Sequence, residues 1–202
     1  MLEQHALKVV HEFWFGPDAS DARVVSKRQS SLWWSKSPTI DAQIREKFEP
    51  ILQQELQDRF AHCSTPREIL ARIILLDQFP RNMYRERALA FAYDERARLL
   101  ASQLCQSEGE KQLTLIERVF IYLPFEHSEH FDDQLVSENF FQQLLDEAPE
   151  GEKELFTGYL RFAVRHREII EQFDRFPHRN QWLGRESTEQ ERVFLQTPGS
   201  GF

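Results

Sequence analysis

Apolar residues recur at steps of three and four along most of the chain, which is the spacing that lets a helix bury one face. The most regular example runs through Leu155, Tyr159, Phe162, Ala163, Ile170 and Phe173. No segment alternates apolar and polar residues over more than a few positions, so no β-strand is predicted. The pattern predicts an all-α protein in which about eight helices of moderate length pack as antiparallel pairs.

Proline, glycine or a capping residue marks the breaks between the predicted helices. The helices are predicted to extend to Phe15, over Thr39–Phe60, from Thr65 to Pro80, over Glu86–Gln106, from Thr114 to Pro124, from Ser128 to Ala148, over Leu155–Phe173, and from a cap at Ser187 and Gln190 to Leu195. Thr65 and Glu68 have the spacing of a capping box, and so do Thr114 and Glu117. These two helix starts are the most sharply defined in the chain.

Residues 18–38 interrupt the helical pattern, because they are polar and irregular apart from Trp33 and Trp34. They are predicted to form a long loop that the two indole side chains fix to the core. The chain of 202 residues is long enough for one large core, and its 17 Phe favour dense packing. Residues 1–202 are therefore predicted to form a single domain.

The net charge of −8 would repel phosphate groups, which argues against a nucleic-acid partner and against an anionic membrane surface. The first residues lack the basic and apolar regions of a signal peptide. No stretch approaches the ~18 apolar residues that a membrane helix needs. We therefore expect a cytoplasmic protein. Its two cysteines, Cys63 and Cys105, are too few and too far apart for a disulfide scaffold or a zinc site.

Two distant segments share one pattern: residues 77–82 read DQFPRN, and residues 174–180 read DRFPHRN. Because proline does not continue a helix, both are predicted to be corners at helix ends, where Arg and Asn can cap free carbonyl groups. The functional alternative is that these Arg and Asn side chains line a shared cavity, in which the guanidinium forks bind a carboxylate or phosphate. The four residues are Arg81, Asn82, Arg179 and Asn180.

Residues 124–130, PFEHSEH, place two His and two Glu at a predicted helix-to-helix corner. The two His are three positions apart and would form half of a metal site if the next helix had begun, but the HExxH spacing is missing and no metal is predicted. Ser128 as a helix N-cap, with Glu129 in the first turn, accounts for two residues without any function. Glu126, His127 and Glu129 are kept as candidate site residues.

Two further histidines are candidates. His166 lies on the apolar stripe of the seventh predicted helix, where it is expected to be neutral and satisfied by internal hydrogen bonds, or else to face a pocket. His178 lies within the second Phe-Pro segment. The chain has neither a Gly-rich phosphate loop nor a GxSxG motif, so no cofactor is predicted.

Long motifs resemble those of a known family. They are LLDQFPRNMYRE, AFAYDERA, YLPFEHSE and HREIIEQFDRFPHRNQWLGRESTEQE, together with FWFG, Trp33-Trp34 and Asp41 near the start. Over essentially the whole chain they resemble the bacterial domain-of-unknown-function family 924. The resemblance implies an all-helical fold similar to the tetratricopeptide-like superfamily, and it implies no activity. The family usually has Gly where Asp174 stands here. Since Asp tolerates left-handed backbone better than most residues, we expect the corner to be retained.

Three functional hypotheses follow. The leading one is a binding module, in which the two Phe-Pro corners and the Glu126-His127 corner form a polar pocket for a small anionic molecule or a peptide end. The second is an enzyme, such as a hydrolase, that uses His127, His166 and His178 with Glu126 or Glu129 in acid–base or metal chemistry. The third is a scaffold that binds another protein through a concave helical surface. Its candidate contact residues are Trp14, Trp33, Trp34 and Trp182.

Overall fold

The computed structural model describes residues 2–201 and is all-helical, as predicted. This part of the chain forms nine helices, if three consecutive segments are counted together as α4. They are α1 (Leu2–Phe15), α2 (Ala22–Trp34), α3 (Pro38–Leu56), α4 (Pro66–Ile73, Ile74–Gln78 and Phe79–Met83), α5 (Asp94–Gln106), α6 (Leu115–Glu126), α7 (Phe131–Glu147), α8 (Lys153–Phe173) and α9 (Glu189–Leu195). Within the described residues, no helix has the length and apolar character needed to cross a membrane.

The capping boxes set the helix starts where the hydroxyl and carboxylate spacing predicted them. Thr65 and Glu68 cap α4 reciprocally, and Thr114 and Glu117 do the same for α6. The prediction for the last helix was displaced by one residue. Its capping box uses Thr188 and Glu191 instead of Ser187 and Gln190.

The core is built around aromatic residues of α1, α2, α4 and α6. The Trp14 ring lies edge-on to Phe79 and to Phe120, with ring centroids 5.5 Å apart in both pairs. The Trp33 indole donates a hydrogen bond to the carbonyl of Trp14 over 3.0 Å. Edge-to-face aromatic pairs of this kind add specific geometry to the burial of large apolar area, which accounts for the high Phe content.

The predicted loop over residues 18–38 is wrong, because α2 occupies Ala22–Trp34. The Asp21 carboxylate caps this helix by accepting a hydrogen bond from the Val24 amide over 2.9 Å. Only three of its residues, Ala22, Val25 and Trp33, are buried. An apolar stripe this narrow does not produce a recognisable helical period in the sequence.

Two prolines were predicted to end helices and do not. α4 passes through Pro80 to Met83, and α6 passes through Pro124 to Glu126. In α4 the preceding segment is a π-helix, in which the Phe79 amide bonds to the Ile74 carbonyl five residues back. This wider turn redirects the carbonyl groups that a proline ring would otherwise meet, so the helix tolerates Pro80.

The helix predicted to start at Glu86 begins at Asp94 instead, after a 3-10 turn over Ala88–Phe91. Glu86 itself has a left-handed backbone, with φ of 64°. Because α5 begins only at Asp94, Phe91 and Asp94 face α4.

The C-terminal segment packs on a hydrophobic cluster of its own. The buried residues Ile169, Ile170 and Phe176 form this small cluster, separate from the main core. Asp174 ends α8 in the left-handed conformation, with φ of 55°, as expected for a position that favours Gly. The segment that follows crosses back toward α4, α5 and α6, where the candidate site residues lie.

Candidate functional site

Two arginines from distant parts of the chain meet at one acid. Both terminal nitrogens of Arg81 donate to the Asp94 carboxylate over 2.9 Å. Nη1 of Arg179 lies 3.4 Å from Oδ2 of the same carboxylate. The two Phe-Pro segments therefore place their arginines side by side, with Asp94 of α5 between them.

Arg179 is enclosed by two aromatic rings. Its guanidinium carbon lies 4.7 Å from the centroid of Phe91 and 4.5 Å from that of Phe176. The residue is only 6% exposed, and its buried Nε has no hydrogen-bond partner within residues 2–201. Burial lowers the pKa of Arg179 to about 10, which still leaves it charged at neutral pH. Native structures seldom leave a buried guanidinium donor without a hydrogen-bond partner.

A buried acid and an imidazole form a second pair in the cluster. Oδ1 of Asp77 lies 2.7 Å from Nδ1 of His127, and the Gln78 amide donates to the other carboxylate oxygen. Although burial alone would raise it, Arg81 and His127 hold the pKa of Asp77 well below its usual range. Burial and then the charge of Arg81 lower the pKa of His127. The imidazole is thus neutral at pH 7, and its Nδ1–H donates to Asp77.

The π-helical segment of α4 carries Asp77 into this position. Asp77 is fully buried, whereas a carboxylate on a helix is normally found facing water. Single π-turns in α-helices are frequently found at functional sites, because the widened turn redirects a side chain.

Glu126 and His166 form a third pair. Oε1 of Glu126 lies 3.1 Å from Nδ1 of His166, and this nitrogen donates to the Phe162 carbonyl over 2.8 Å. Burial, with a further contribution from Asp77, raises the pKa of Glu126 to about 8, so this carboxyl group is mostly protonated at pH 7. Burial and the proximity of His127 lower the pKa of His166 well below its ordinary value. The His127 and His166 ring centroids are 6.2 Å apart.

We refer to these residues as the polar cluster. Its members are Asp77, Arg81, Asp94, Glu126, His127, His166 and Arg179. With both histidines neutral and Glu126 protonated, the two arginines balance the two aspartates. The cluster reaches the surface through His127, Arg81 and Asp94, whose side chains are 14%, 20% and 16% exposed.

The other predicted site residues hold the segments in place. The Asn82 amide donates to Asp41 of α3 over 2.9 Å, and the Asn180 amide lies 3.1 Å from the Ser187 hydroxyl. Glu129 accepts hydrogen bonds from the Phe176 amide over 2.8 Å and from Arg185 over 2.7 Å. The two Asn side chains therefore bind different partners, whereas the two Arg side chains share Asp94.

His178 lies on a 3-10 turn beside Arg179, with its ring centroid 5.7 Å from that of Phe176. Burial and then the charge of Arg179 lower the pKa of His178 to about 3, so this imidazole is neutral at pH 7. It belongs to the surroundings of Arg179.

The corner after α6 differs from the prediction. Ser128 is not the N-cap of the next helix, because α7 begins at Phe131 and His130 precedes it. His127 caps the end of α6 and is half-buried in the cluster, while His130 is exposed, so the two histidines do not share a face. Within residues 2–201 there is no group of three or more His, Cys, Asp or Glu side chains with a geometry for a metal ion.

Four residues that shape the cluster were not predicted from the sequence. Asp77 precedes Phe-Pro in the first segment and Phe176 belongs to the second, so the repeated pattern contained a signal for both. The equivalent acid of the second segment, Asp174, is exposed and only ends a helix, which limits that signal. Phe91 and Asp94 gave no signal, because they were predicted to lie inside a regular helix.

The fold and this cluster define an all-α protein that buries a set of charged groups between its helices. The chain belongs to the bacterial protein family of unknown function DUF924, whose family model matches residues 10–199. It is similar to the solved structure of the protein of unknown function ATU0120 from Agrobacterium tumefaciens. The TM-score is 0.73 and the identity 30%, over 87% of this chain and 99% of that chain. No curated protein matches the chain.

Proposed function

We propose that the chain binds a small carboxylate-bearing molecule in the polar cluster, with Arg179 as the residue that anchors the carboxylate. The observation that carries the proposal is the unused Nε donor of a guanidinium that is only 6% exposed. An unsatisfied buried polar group costs about 1–3 kcal/mol, and a ligand that accepts from it recovers this free energy. A guanidinium fork matches the two oxygens of a carboxylate.

Arg81 is less suited to this role than Arg179. Its Nη1 and Nη2 atoms donate to Asp94, and Nη1 also lies 3.2 Å from Asp77. Arg179, in contrast, has one contact of 3.4 Å with an acid that is already bound to Arg81. The charge of Arg179 is therefore the less completely neutralised of the two, and an anion is attracted more strongly to it.

The surrounding groups favour an anionic ligand of small size. The neutral imidazoles and the protonated Glu126 do not repel a carboxylate, and the charges of Asp77 and Asp94 are balanced by those of Arg81 and Arg179 together. The Phe91 and Phe176 rings both contact the guanidinium of Arg179, which limits the space left for a ligand. Cation–π contacts with these rings help to hold the guanidinium in place.

Thermal unfolding with malonate, pyruvate or 2-oxoglutarate tests the proposal, with inorganic phosphate as a separate arm. We expect at least one of the three carboxylates to raise the Tm of the wild type. Arg179→Gln should abolish the increase, and Arg179→Lys, which keeps the charge but loses the fork, should retain part of it. Arg192→Gln is the control, because the side chain of Arg192 is 58% exposed and pairs with Glu189.

An equal increase in the wild type and in Arg179→Gln contradicts the proposal, and so does the absence of any increase with the three acids. Stabilisation by phosphate alone would replace the carboxylate with a phosphate ester as the ligand class. The Tm and circular dichroism of each variant without ligand show whether Arg179→Gln folds, and Arg179→Lys provides the comparison if it does not.

The scaffold hypothesis remains a prediction. Trp14 and Trp33 are buried in the core and are unavailable to a partner, whereas Trp34 is 51% exposed. The exposure of Trp182 is intermediate.

A further inference from the structure

We propose that His127 is the proton-accepting residue of this site, and that the bound carboxylic acid is a substrate that loses a proton from the carbon next to its carboxylate. The inference rests on the proposed function, because Arg179 holds the acid whose proton is removed. It adds a reaction to what is otherwise a binding site.

The orientation of the imidazole is fixed from one side. Nδ1 of His127 lies 2.7 Å from Asp77, and Asp77 is itself held by Arg81 and Gln78. A carboxylate at Nδ1 keeps the proton on that nitrogen, so the lone pair is on Nε2. Within residues 2–201 Nε2 makes no hydrogen bond, and the side chain is 14% exposed. The basic nitrogen is thus available to a ligand.

The titratable groups around His127 come from four helices and from the segment after α8. α4 contributes Asp77 and Arg81, α5 contributes Asp94, α6 contributes Glu126, α8 contributes His166, and the segment after α8 contributes His178 and Arg179. Burial and then the positive charge of Arg81 disfavour a second proton on the ring, and the negative charges of Asp77 and Asp94 favour it. The pKa of His127 is lowered on balance, so the ring is neutral at pH 7.

Proton abstraction next to a carboxylate calls for a neutral base, a carboxylate that orients the base, and a cation for the substrate carboxylate, and the cluster contains all three. The C–H bond breaks, its electron pair forms a C=C bond to the carboxylate carbon, the added charge moves to the two oxygens of this enediolate, and the proton forms an N–H bond at Nε2. Nδ1–H remains bonded to Asp77, whose charge stabilises the imidazolium. The return of a proton to the carbon restores the acid, so in D2O the C–H becomes C–D without any co-reactant.

His127 is the catalytic residue in this proposal, and Asp77 is a positioning residue that acts through it. His11 and Glu117, 2.6 Å apart, form another buried pair of an imidazole and a carboxylate. It does not offer the same chemistry, because there the carboxylate contacts Nε2 and also accepts from Thr114 and Arg67.

Proton NMR of malonate and 2-oxoglutarate in D2O tests the proposal, because the CH2 of malonate and C4 of 2-oxoglutarate lie next to a carboxylate, whereas pyruvate has no C–H at that position. We expect the wild type to accelerate the loss of at least one of these C–H signals. His127→Gln should slow this exchange by ~100-fold, which is within the usual contribution of a general base. Asp77→Asn should also slow it, and His62→Gln is the control because the His62 side chain is 61% exposed.

Long-range 1H–15N spectra of the histidines give a second readout that needs no ligand. They should show His127 protonated at Nδ1 only at pH 7 in the wild type, and a different tautomer mixture in Asp77→Asn. A protonated imidazolium at pH 7, or a proton at Nε2 in the neutral ring, overturns the proposal. Exchange that is no faster with the wild type than with His127→Gln overturns it as well.

The two proposals fail in different ways. If the acids stabilise the wild type through Arg179 and no C–H exchange occurs, the site binds carboxylates and the inference about His127 is wrong. If the acids do not stabilise the wild type, the proposed function itself fails.

Discussion

At the scale of single residues, two carboxyl groups of the polar cluster differ in charge because their partners differ. Asp77 is paired with Arg81 and His127 and stays ionised, whereas Glu126 has no cationic partner within hydrogen-bond reach and is mostly protonated at pH 7. Opposite environments for neighbouring acids are characteristic of sites that need both a charged and a neutral carboxyl group.

Glu126→Gln should change how stability depends on pH. The pKa of Glu126 is about 8 in the folded protein, above its ordinary value of 4.5. Between these two values the folded state holds a proton that the unfolded state has released, so this group makes stability fall as the pH rises. We expect the variant to match the wild type near pH 5 and to be more stable near pH 8, by up to ~4 kcal/mol at about 1.36 kcal/mol per pKa unit. Urea denaturation at both pH values checks this, and parallel pH profiles of the two proteins would contradict it.

The sequence pattern indicated part of the cluster and missed the rest for a physical reason. Arg81 and Arg179 each follow a Phe-Pro pair, so the sequence itself shows their similarity. Asp94 gives no such signal, because its role depends on where α5 begins. The charge state of Glu126 depends on burial by distant helices, which no local pattern encodes.

At the scale of secondary-structure elements, helices with a wide apolar face and a capping box were predictable, as α4 and α6 show. α2 was not, because it buries only three residues and its remaining positions are polar. The continuation of α4 through Pro80 was not predictable either. It depends on a π-turn that is stabilised by the surrounding core rather than by local sequence preference.

Asp174 offers a test of backbone strain at the end of α8. Its φ of 55° lies in the left-handed region, which costs free energy for every residue except Gly. Asp174→Gly should stabilise the protein by on the order of 1 kcal/mol, while the β-branched substitution Asp174→Val should destabilise it. Thermal or urea unfolding of both variants checks this. A loss of stability in Asp174→Gly would mean that the Asp side chain contributes more than its strain costs.

Glu129 should control the local stability of the segment that carries Arg179. Its carboxylate accepts hydrogen bonds from the Phe176 amide and from Arg185, and its charge is lost in Glu129→Gln. A loss of ~1.5 kcal/mol, typical of a charge-assisted hydrogen bond, corresponds to about tenfold faster exchange of the amides in residues 175–187. Hydrogen–deuterium exchange with mass spectrometry measures it. Glu189→Gln, at an exposed ion pair, is the matched control, and the same exchange in both variants would refute the role of Glu129.

At the scale of the whole molecule, the polar cluster lies where segments far apart in sequence meet. α4, α5 and α6 belong to the main core, whereas Phe176 and the end of α8 form a second, smaller hydrophobic cluster. The all-α class and the family were accessible from periodicity and motifs. The meeting point of these segments was not, because it depends on how the helices cross.

The central claim is that Arg179 anchors a small carboxylate. Isothermal titration calorimetry with the acid that gives the largest thermal shift measures this contribution directly in the wild type, Arg179→Gln and Arg192→Gln. We expect the wild type and Arg192→Gln to bind with the same Kd, and Arg179→Gln to bind at least ~10-fold more weakly, because it loses a charge-assisted hydrogen bond. A folded Arg179→Gln protein with the wild-type Kd would contradict it.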